Sequence, residues 1–500
     1  MANGCRSSVA RIVLMAVAIC SLAAEHTCAW ELTPELIQPD ESVEIGNRLE
    51  LFVDRHLIDR LDGTELRLHH PRPEQKVIAF DKPWEGAFCG YTTVIRDGEL
   101  LRMYYRGLPG AGRDGTDAEV TCYAESKDGV QWTKPNLGIY EIGGDKNNNV
   151  VLSGQTPASH NFSPFLDTHP DALPKQRFKA LGGTSAGLIG FVSADGLNWK
   201  RIQQEPVFTK GIFDSQNVAF YSQSEHQYVC YFRTWTETGY GGFRTISRTT
   251  SENFVDWSDP VAMTFGDTRY EHLYTNQTTP YFRAPHIYLG VAARFMPGRK
   301  VITAEEAEKI GVDPGYFGDC SDAVLLSSRG GSEYNRTFME SFVRPGLGLE
   351  NWVSRTNYPA LGIVPTGENE VSIYLQKNYG QPTSCLQRYS MRTDGFASIH
   401  AGYASGSVTT KPLTFDGASD CELHINHATS AAGSIRVELQ DVQGKSIAGF
   451  RLDDSQPIIG DRIDRVVTWK EHSDLKSLAG KPIRIRFVMQ DADLYALQIR

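Results

Sequence analysis

The sequence predicts an all-β fold: a five-bladed β-propeller followed by a C-terminal β-sandwich. Three observations carry this expectation. A serine followed six residues later by an aromatic recurs five times, at Ser126–Trp132, Ser193–Trp199, Ser251–Trp257, Ser328–Tyr334 and Ser390–Phe396. An aromatic-rich, strand-like run precedes each copy. The composition, with 46 Gly, 23 Phe and 21 Tyr among 500 residues, suits short strands joined by tight turns rather than long helices.

The repeat has a plain physical meaning. Its first two copies read Ser126-Lys-Asp-Gly-Val-Gln-Trp and Ser193-Ala-Asp-Gly-Leu-Asn-Trp, so that a strand ends, Asp-Gly turns, and Trp opens the next strand. The third to fifth copies degrade this pattern. Upstream runs such as Leu101-Arg-Met-Tyr-Tyr-Arg106, Gln227-Tyr-Val-Cys-Tyr-Phe-Arg233 and Glu370-Val-Ser-Ile-Tyr-Leu375 supply further strands. Each period then holds three or four strands, as a propeller blade does. Five copies in one frame favour this over an array of β-sandwiches. The run 303–310, closed by Gly311, predicts one short helix inserted in the fourth blade.

Four segments follow. Residues 1–29 read as a secretory signal peptide: Arg6 and Arg11, an apolar run at 12–22, then small residues at Ala23, Ala24 and Ala29. Eleven apolar residues are too few to cross a hydrocarbon core of about 30 Å. The mature protein is therefore expected to be secreted, periplasmic or extracellular, with no membrane partner. Residues 30–80 are lead-in strands packing on or closing the propeller, 81–397 the propeller, and 398–500 the sandwich. The tail alternates apolar and polar residues, as in Pro482-Ile-Arg-Ile-Arg-Phe-Val488. Cys5, Cys20 and Cys28 fall in the leader. The other six cysteines are scattered without a Cys-x-x-Cys pair, which argues against structural zinc and fits buried thiols at least as well as disulfides.

The net charge of −10 excludes a basic nucleic-acid face, so no nucleic-acid partner is expected. A Walker A loop, a His-Glu-x-x-His pair and a Gly-x-Ser-x-Gly elbow are all missing, which removes P-loop enzymes, zinc proteases and α/β-hydrolases. In a propeller the inner strands line a central funnel, and its mouth is the natural ligand site. Three inner strands begin near a carboxylate: Glu85, Asp214 and Glu271. Opposed carboxyls can divide acid and base work across a glycosidic bond. Singly, each reads equally well as a turn cap or the partner of a local arginine.

Near the same strand starts, His160, Asn161, Asn276, Arg355 and Asn357 are candidate ligand-binding residues. Arg106, Arg233 and Arg294 fall just past the second strands, with Lys377 equivalent in the fifth blade. Such a set could clamp a carboxylate or sulfate, because the guanidinium fork binds these groups bidentately. The aromatics Trp84, Tyr91, Trp235, Tyr240, Tyr270, Tyr274, Trp352 and Tyr358 could stack on sugar faces or fill blade cores. No cofactor and no metal site are expected. A structural calcium at Asp319 and Asp322 would rest on two carboxylates alone.

Five blades, an appended sandwich, a signal peptide and inner-strand carboxylates together resemble the five-bladed propeller glycosidases, the invertase/fructanase-like (family 32) and arabinanase/xylosidase-like (family 43) groups. They also resemble secreted propeller proteins of polysaccharide-degrading bacteria. The run Val94-Ile-Arg-Asp-Gly-Glu-Leu-Leu-Arg-Met-Tyr-Tyr105 is similar to the first-blade strand pair of such enzymes. The resemblance implies a glycoside hydrolase acting on a poly- or oligosaccharide, neutral or anionic. Glu271 would be its general acid, Asp214 the base or nucleophile, and Glu85 the third carboxylate. It departs from the family where an Asp-Pro is expected, since Tyr91-Thr92 stands there, and it has neither the Arg-Asp-Pro nor the Glu-Cys motif. Two alternatives stay open: a non-catalytic carbohydrate-binding propeller, and a sialidase-like or uronic-acid-acting enzyme. The serine-aromatic turns resemble the Asp-boxes of sialidases, one residue short, but those enzymes have six blades.

Overall fold

The computed structural model describes residues 42–417, 421–470 and 472–500. The expected signal peptide and Cys5, Cys20 and Cys28 lie outside them. The fold is all-β with a five-bladed propeller.

Blade one is the sheet Gly90–Asp97, Leu100–Gly107, Val120–Ser126 and Val150–Leu152. Blade two runs Ser163–Leu166, Phe178–Thr184, Gly187–Ser193 and Lys200–Arg201. Blade three runs Val218–Ser222, Gln227–Glu237, Gly241–Ser251 and Val261–Ala262. In blade four, Leu273–Thr275 and Thr278–Tyr281 share one edge of the long strand Ala284–Met296, and Cys320–Ser328 takes the other. The expected helix is present here, over Ala304–Ile310. Thr303 and Glu306 form a capping box, and Gly311 stops the helix at φ 66°.

Blade five has the order Val364–Pro365, Glu370–Lys377, Cys385–Arg392 and then Arg72–Ala79, a strand from the other end of the chain. The ring is also closed on the inside: Val94 N donates to Leu361 O at 2.7 Å and Leu361 N to Thr92 O at 2.8 Å. Of the lead-in segment, only Arg72–Ala79 thus belongs to a blade. Glu50–Leu51, Ile58–Asp62 and Thr64–Leu68 pair with C-terminal strands in an eight-stranded sheet built on the long strands Leu423–Gln440 and Arg484–Ile499. Its core holds Trp469, Phe487, Val437 and Leu497, and the Trp469 ring N–H donates to Val437 O at 2.8 Å.

Inner faces of neighbouring blades bury the aromatic-rich second strands. Tyr104, Tyr105, Tyr231, Tyr288 and Tyr374 are fully enclosed. Cys89, Cys122, Cys230, Cys320 and Cys385 are buried free thiols. Burial pushes the Cys89 thiol up to about 12, so it stays protonated and inert.

Candidate functional site

The inner strands point their starts at one mouth of the propeller. There the blades contribute, in order, Tyr91, His160, Asp214, Tyr274 and Arg355. The second strands of blades one and three carry Arg106 and Arg233 within them, rather than just past their ends, and the third strand of blade three adds Arg244. Tyr91 (φ 51°), Gln277 (φ 47°), Arg355 (φ 57°) and Asn357 (φ 69°) adopt left-handed backbone conformations that non-glycine residues avoid. Such strain gathers where a scaffold aims side chains at a ligand.

Behind this mouth three glutamines bar the axis. Gln216 donates to Thr93 Oγ1 at 2.8 Å, and Gln277 donates to Gln216 Oε1 and Pro359 O, both at 2.7 Å. Gln376 donates to Cys89 O. Beyond them, the far ends of the inner strands line a second, largely apolar cavity of about 350 Å³.

The charged groups of the funnel form one network. His160 Nδ1 lies 2.8 Å from Glu119 Oε1, and its Nε2 lies 3.2 Å from Asp214 Oδ1. Both partners are carboxylates, so an imidazolium donates through both nitrogens. Burial pulls the His160 pKa down, but the bonds to Asp214 and Glu119 outweigh it and leave it above the ordinary value. Arg233 Nη2 donates to Asp214 Oδ2 at 3.3 Å. Burial alone would raise the Asp214 carboxyl; His160 and Arg233 instead hold it down to about 2. Asp214 nevertheless keeps 54% of its side chain exposed. It is an ionised carboxylate facing the funnel, gripped from behind.

Asp114 stands on the other side of His160. It meets Arg106 Nη1 at 3.4 Å and is 42% exposed, whereas Glu119 is enclosed. The acceptor atoms of Asp114, Glu119 and His160 lie within 4.8 Å of one another, a spacing that could hold a metal ion. Arg106 Nη1 already sits 3.4 Å from both carboxylates and 3.2 Å from His160 Nδ1, so a guanidinium fills the cation's place. Aromatic rings complete the walls. Arg106 lies 4.8 Å from the Tyr91 ring centre, Arg233 4.9 Å from that of Tyr274, and Arg244 4.5 Å from that of Trp235.

The expected trio is not brought together. Glu85 is fully buried and structural: it accepts from Tyr105 Oη and Lys134 Nζ, both at 2.6 Å, and from Lys82 N at 3.1 Å. Glu271 lies in a separate cleft of about 560 Å³, bonded to Arg294 at 2.8 Å and Arg336 at 2.5 Å. Burial raises its carboxyl, and the two arginines bring it below the ordinary range. A group so held is a poor proton donor. Arg294 is consumed by that pair and by Asp322, at 2.8 and 2.6 Å. Asp322 therefore does not join Asp319, which accepts from Gly298 N at 2.6 Å and Ser354 Oγ at 3.0 Å. The expected calcium pair is thus divided.

The three asparagines are also internal. Asn161 donates to Gly183 O, Phe213 O and Ser215 O, tying blades two and three. Asn276 Oδ1 caps Thr278 N at 3.0 Å. Asn357 donates to Ser321 O and accepts from Lys377, which is thereby removed from any clamp. Of the expected residues, Arg106, His160, Asp214, Arg233 and Arg355 remain in the funnel. The sequence reading missed Asp114, Glu119 and Arg244. The first two sit in the loop between the second and third strands of blade one. Arg244 lies at the start of the third strand of blade three, away from the inner-strand starts.

No family model matches the chain, and no curated protein matches it. Among solved structures, an arabinoxylan arabinofuranohydrolase of glycoside hydrolase family 43 from Bacillus subtilis, in complex with cellotetraose, aligns with a TM-score of 0.39 and 11% identity. That alignment covers 84% of this chain and 97% of the other. An N-acetylgalactosamine deacetylase from F. plautii, in complex with blood group B trisaccharide, gives 0.41 and 10%, over 66% and 96% of the two chains. A member of glycoside hydrolase family 130, described as containing mannoside phosphorylases and hydrolases of β-1,2 mannosidic linkages, gives 0.38 and 14%, over 68% and 96%.

Proposed function

We propose that the protein is an exported glycoside hydrolase that works on a poly- or oligosaccharide in the propeller funnel. The observation that carries this reading is Asp214: a half-exposed carboxylate, ionised down to about pH 2, facing the mouth of the propeller. Since Asp214 holds no proton at working pH, it acts as base or nucleophile. Asp114, the second exposed carboxyl of the cluster, lies beside Arg106 on the other side of His160. His160 and Arg233 orient Asp214, and Glu119 orients His160. The residues 1–29 support export.

The test is release of reducing ends from a panel of polysaccharides. Asp214→Asn should lower the rate by about a thousandfold while keeping the fold, the scale of a lost base or nucleophile. Wild-type rates in that variant would overturn the assignment. One observation favours a non-catalytic carbohydrate-binding propeller: Tyr91, His160, Tyr274 and Arg355, the counterparts of Asp214 in the other blades, include no carboxylate. Binding without product across the panel would select that reading.

A further inference from the structure

Two guanidinium groups of the funnel have no carboxylate to answer them. Arg106 is matched by Glu119 and Asp114, and Arg233 by Asp214. Arg244 and Arg355 form no ion pair among the described residues, and neither donates a side-chain hydrogen bond. Their neighbours are rings. Arg244 lies over Trp235, Tyr274 and Phe295, and Arg355 over Tyr274, Tyr316 and Tyr379. Arg233, Arg244 and Arg355 therefore converge on one ring, 4.9, 5.7 and 5.8 Å from the centre of Tyr274.

Unspent donors surround the same ring. Arg233 Nε, Arg244 Nε, Trp235 Nε1 and Tyr358 Oη are buried without a hydrogen-bond partner among the described residues. Asp319, an acid whose charge reaches Arg244, is already engaged by Gly298 N and Ser354 Oγ. Burial, and then the charge of Arg233, hold Arg244 below the ordinary arginine value. Three partly buried like charges repel one another, and unpaired buried donors cost free energy. A bound oxyanion would relieve both, since the arginine fork fits the oxygens of carboxylate and sulfate.

We propose that Arg244 and Arg355, with Arg233, bind an oxyanion carried on the sugar, so that the substrate is a uronate- or sulfate-bearing saccharide. This rests on the funnel being the carbohydrate site.

Equilibrium binding separates this from turnover. In an Asp214→Asn background, trigalacturonate, 6-sulfated galactotriose and neutral galactotriose are titrated by calorimetry at 50 and 500 mM NaCl. At least one anionic sugar should bind about tenfold more tightly than the neutral one at low salt, with the gap narrowing at high salt. The tighter anion identifies the group. Arg244→Gln and Arg355→Gln should each erase most of the advantage, and Arg355→Lys, which keeps the charge but loses the fork, should retain part of it. Equal affinity for neutral and anionic sugars, or an advantage that survives both Gln substitutions in folded protein, would overturn the proposal. Wild type that binds trigalacturonate yet releases no reducing ends from any polysaccharide would leave the anion site standing and remove the hydrolase reading.

Discussion

His160 sets the charge balance of the funnel, because its imidazolium is bonded to a carboxylate through each ring nitrogen. Its folded pKa lies above the ordinary 6.5 through its bonds to Asp214 and Glu119. A group raised in this way contributes stability that is fully present below the unfolded value and is lost as pH rises through the folded one. Loss of the imidazolium also frees Asp214 from one of its two anchors. The pH profile of kcat/KM should therefore fall on an alkaline limb whose midpoint lies above 6.5, and His160→Gln should remove that limb. A midpoint below 6.5 in the wild type would sink the assignment. Asp214, held to about 2, should give no acidic limb between pH 4 and 6. Five of the site residues were legible in the sequence because inner strands begin, and second strands end, at predictable places in a propeller repeat. Glu85 and Glu271 had the same sequence position but different partners. A buried tyrosine and lysine claim Glu85, and Arg294 with Arg336 claims Glu271. Pairings across tens of residues leave no mark on local pattern.

The repeated turn shows why the fold was easier to read than the site. Asp195 Oδ1 accepts from Leu197 N at 2.9 Å and Asn198 N at 2.8 Å, and the Trp199 ring N–H donates to Gly196 O at 3.2 Å. Asp128 and Trp132 repeat the pattern. The glycine is doubly required. Gly196 has φ 74°, and a Cβ there would stand 2.6 Å from Tyr104 Oη, which donates to Gly196 O at 3.0 Å. That bond joins blade one to blade two, and Tyr374 Oη to Gly129 O at 2.8 Å joins blade five to blade one in the same way. In the third copy Phe254 takes the glycine's place at φ 64°, Lys179 lies over its ring, and the Trp257 N–H has no partner among the described residues. Degraded copies are thus repaired by packing. Tyr104→Phe removes one of the two donors to the Gly196 carbonyl and leaves it the Trp199 N–H, so about 0.5–1.5 kcal/mol of stability should be lost in urea unfolding. A cost below about 0.3 kcal/mol would show that the bond does not couple the blades.

At the scale of the whole molecule, the N-terminal strands decide how the parts hold together. Within thirty residues the chain pairs first with C-terminal strands, at Glu50–Leu51, Ile58–Asp62 and Thr64–Leu68. After only residues 69–71 it becomes the outer strand of blade five, at Arg72–Ala79. The sequence marked this stretch as strands but not their partners, since those lie more than three hundred residues away. Asp394 reinforces the junction. It is fully buried and bonds to Tyr281 Oη at 2.7 Å, Arg283 Nε at 3.1 Å and Asn426 Nδ2 at 3.0 Å, so blade four and the C-terminal sheet share one carboxylate. Closure of the ring and attachment of the C-terminal sheet are therefore expected to be lost together on unfolding. Ile78, 4% exposed and paired with Leu386, packs with Tyr105 and Tyr374 at the seam of blades five and one. Ile78→Ala should cost about 2–5 kcal/mol by leaving a cavity at that seam. Hydrogen exchange read by mass spectrometry should then accelerate together in Leu100–Gly107, Glu370–Lys377 and Leu423–Gln440. Acceleration confined to Arg72–Ala79 would mean that the outer strand frays alone and that the blades close without it.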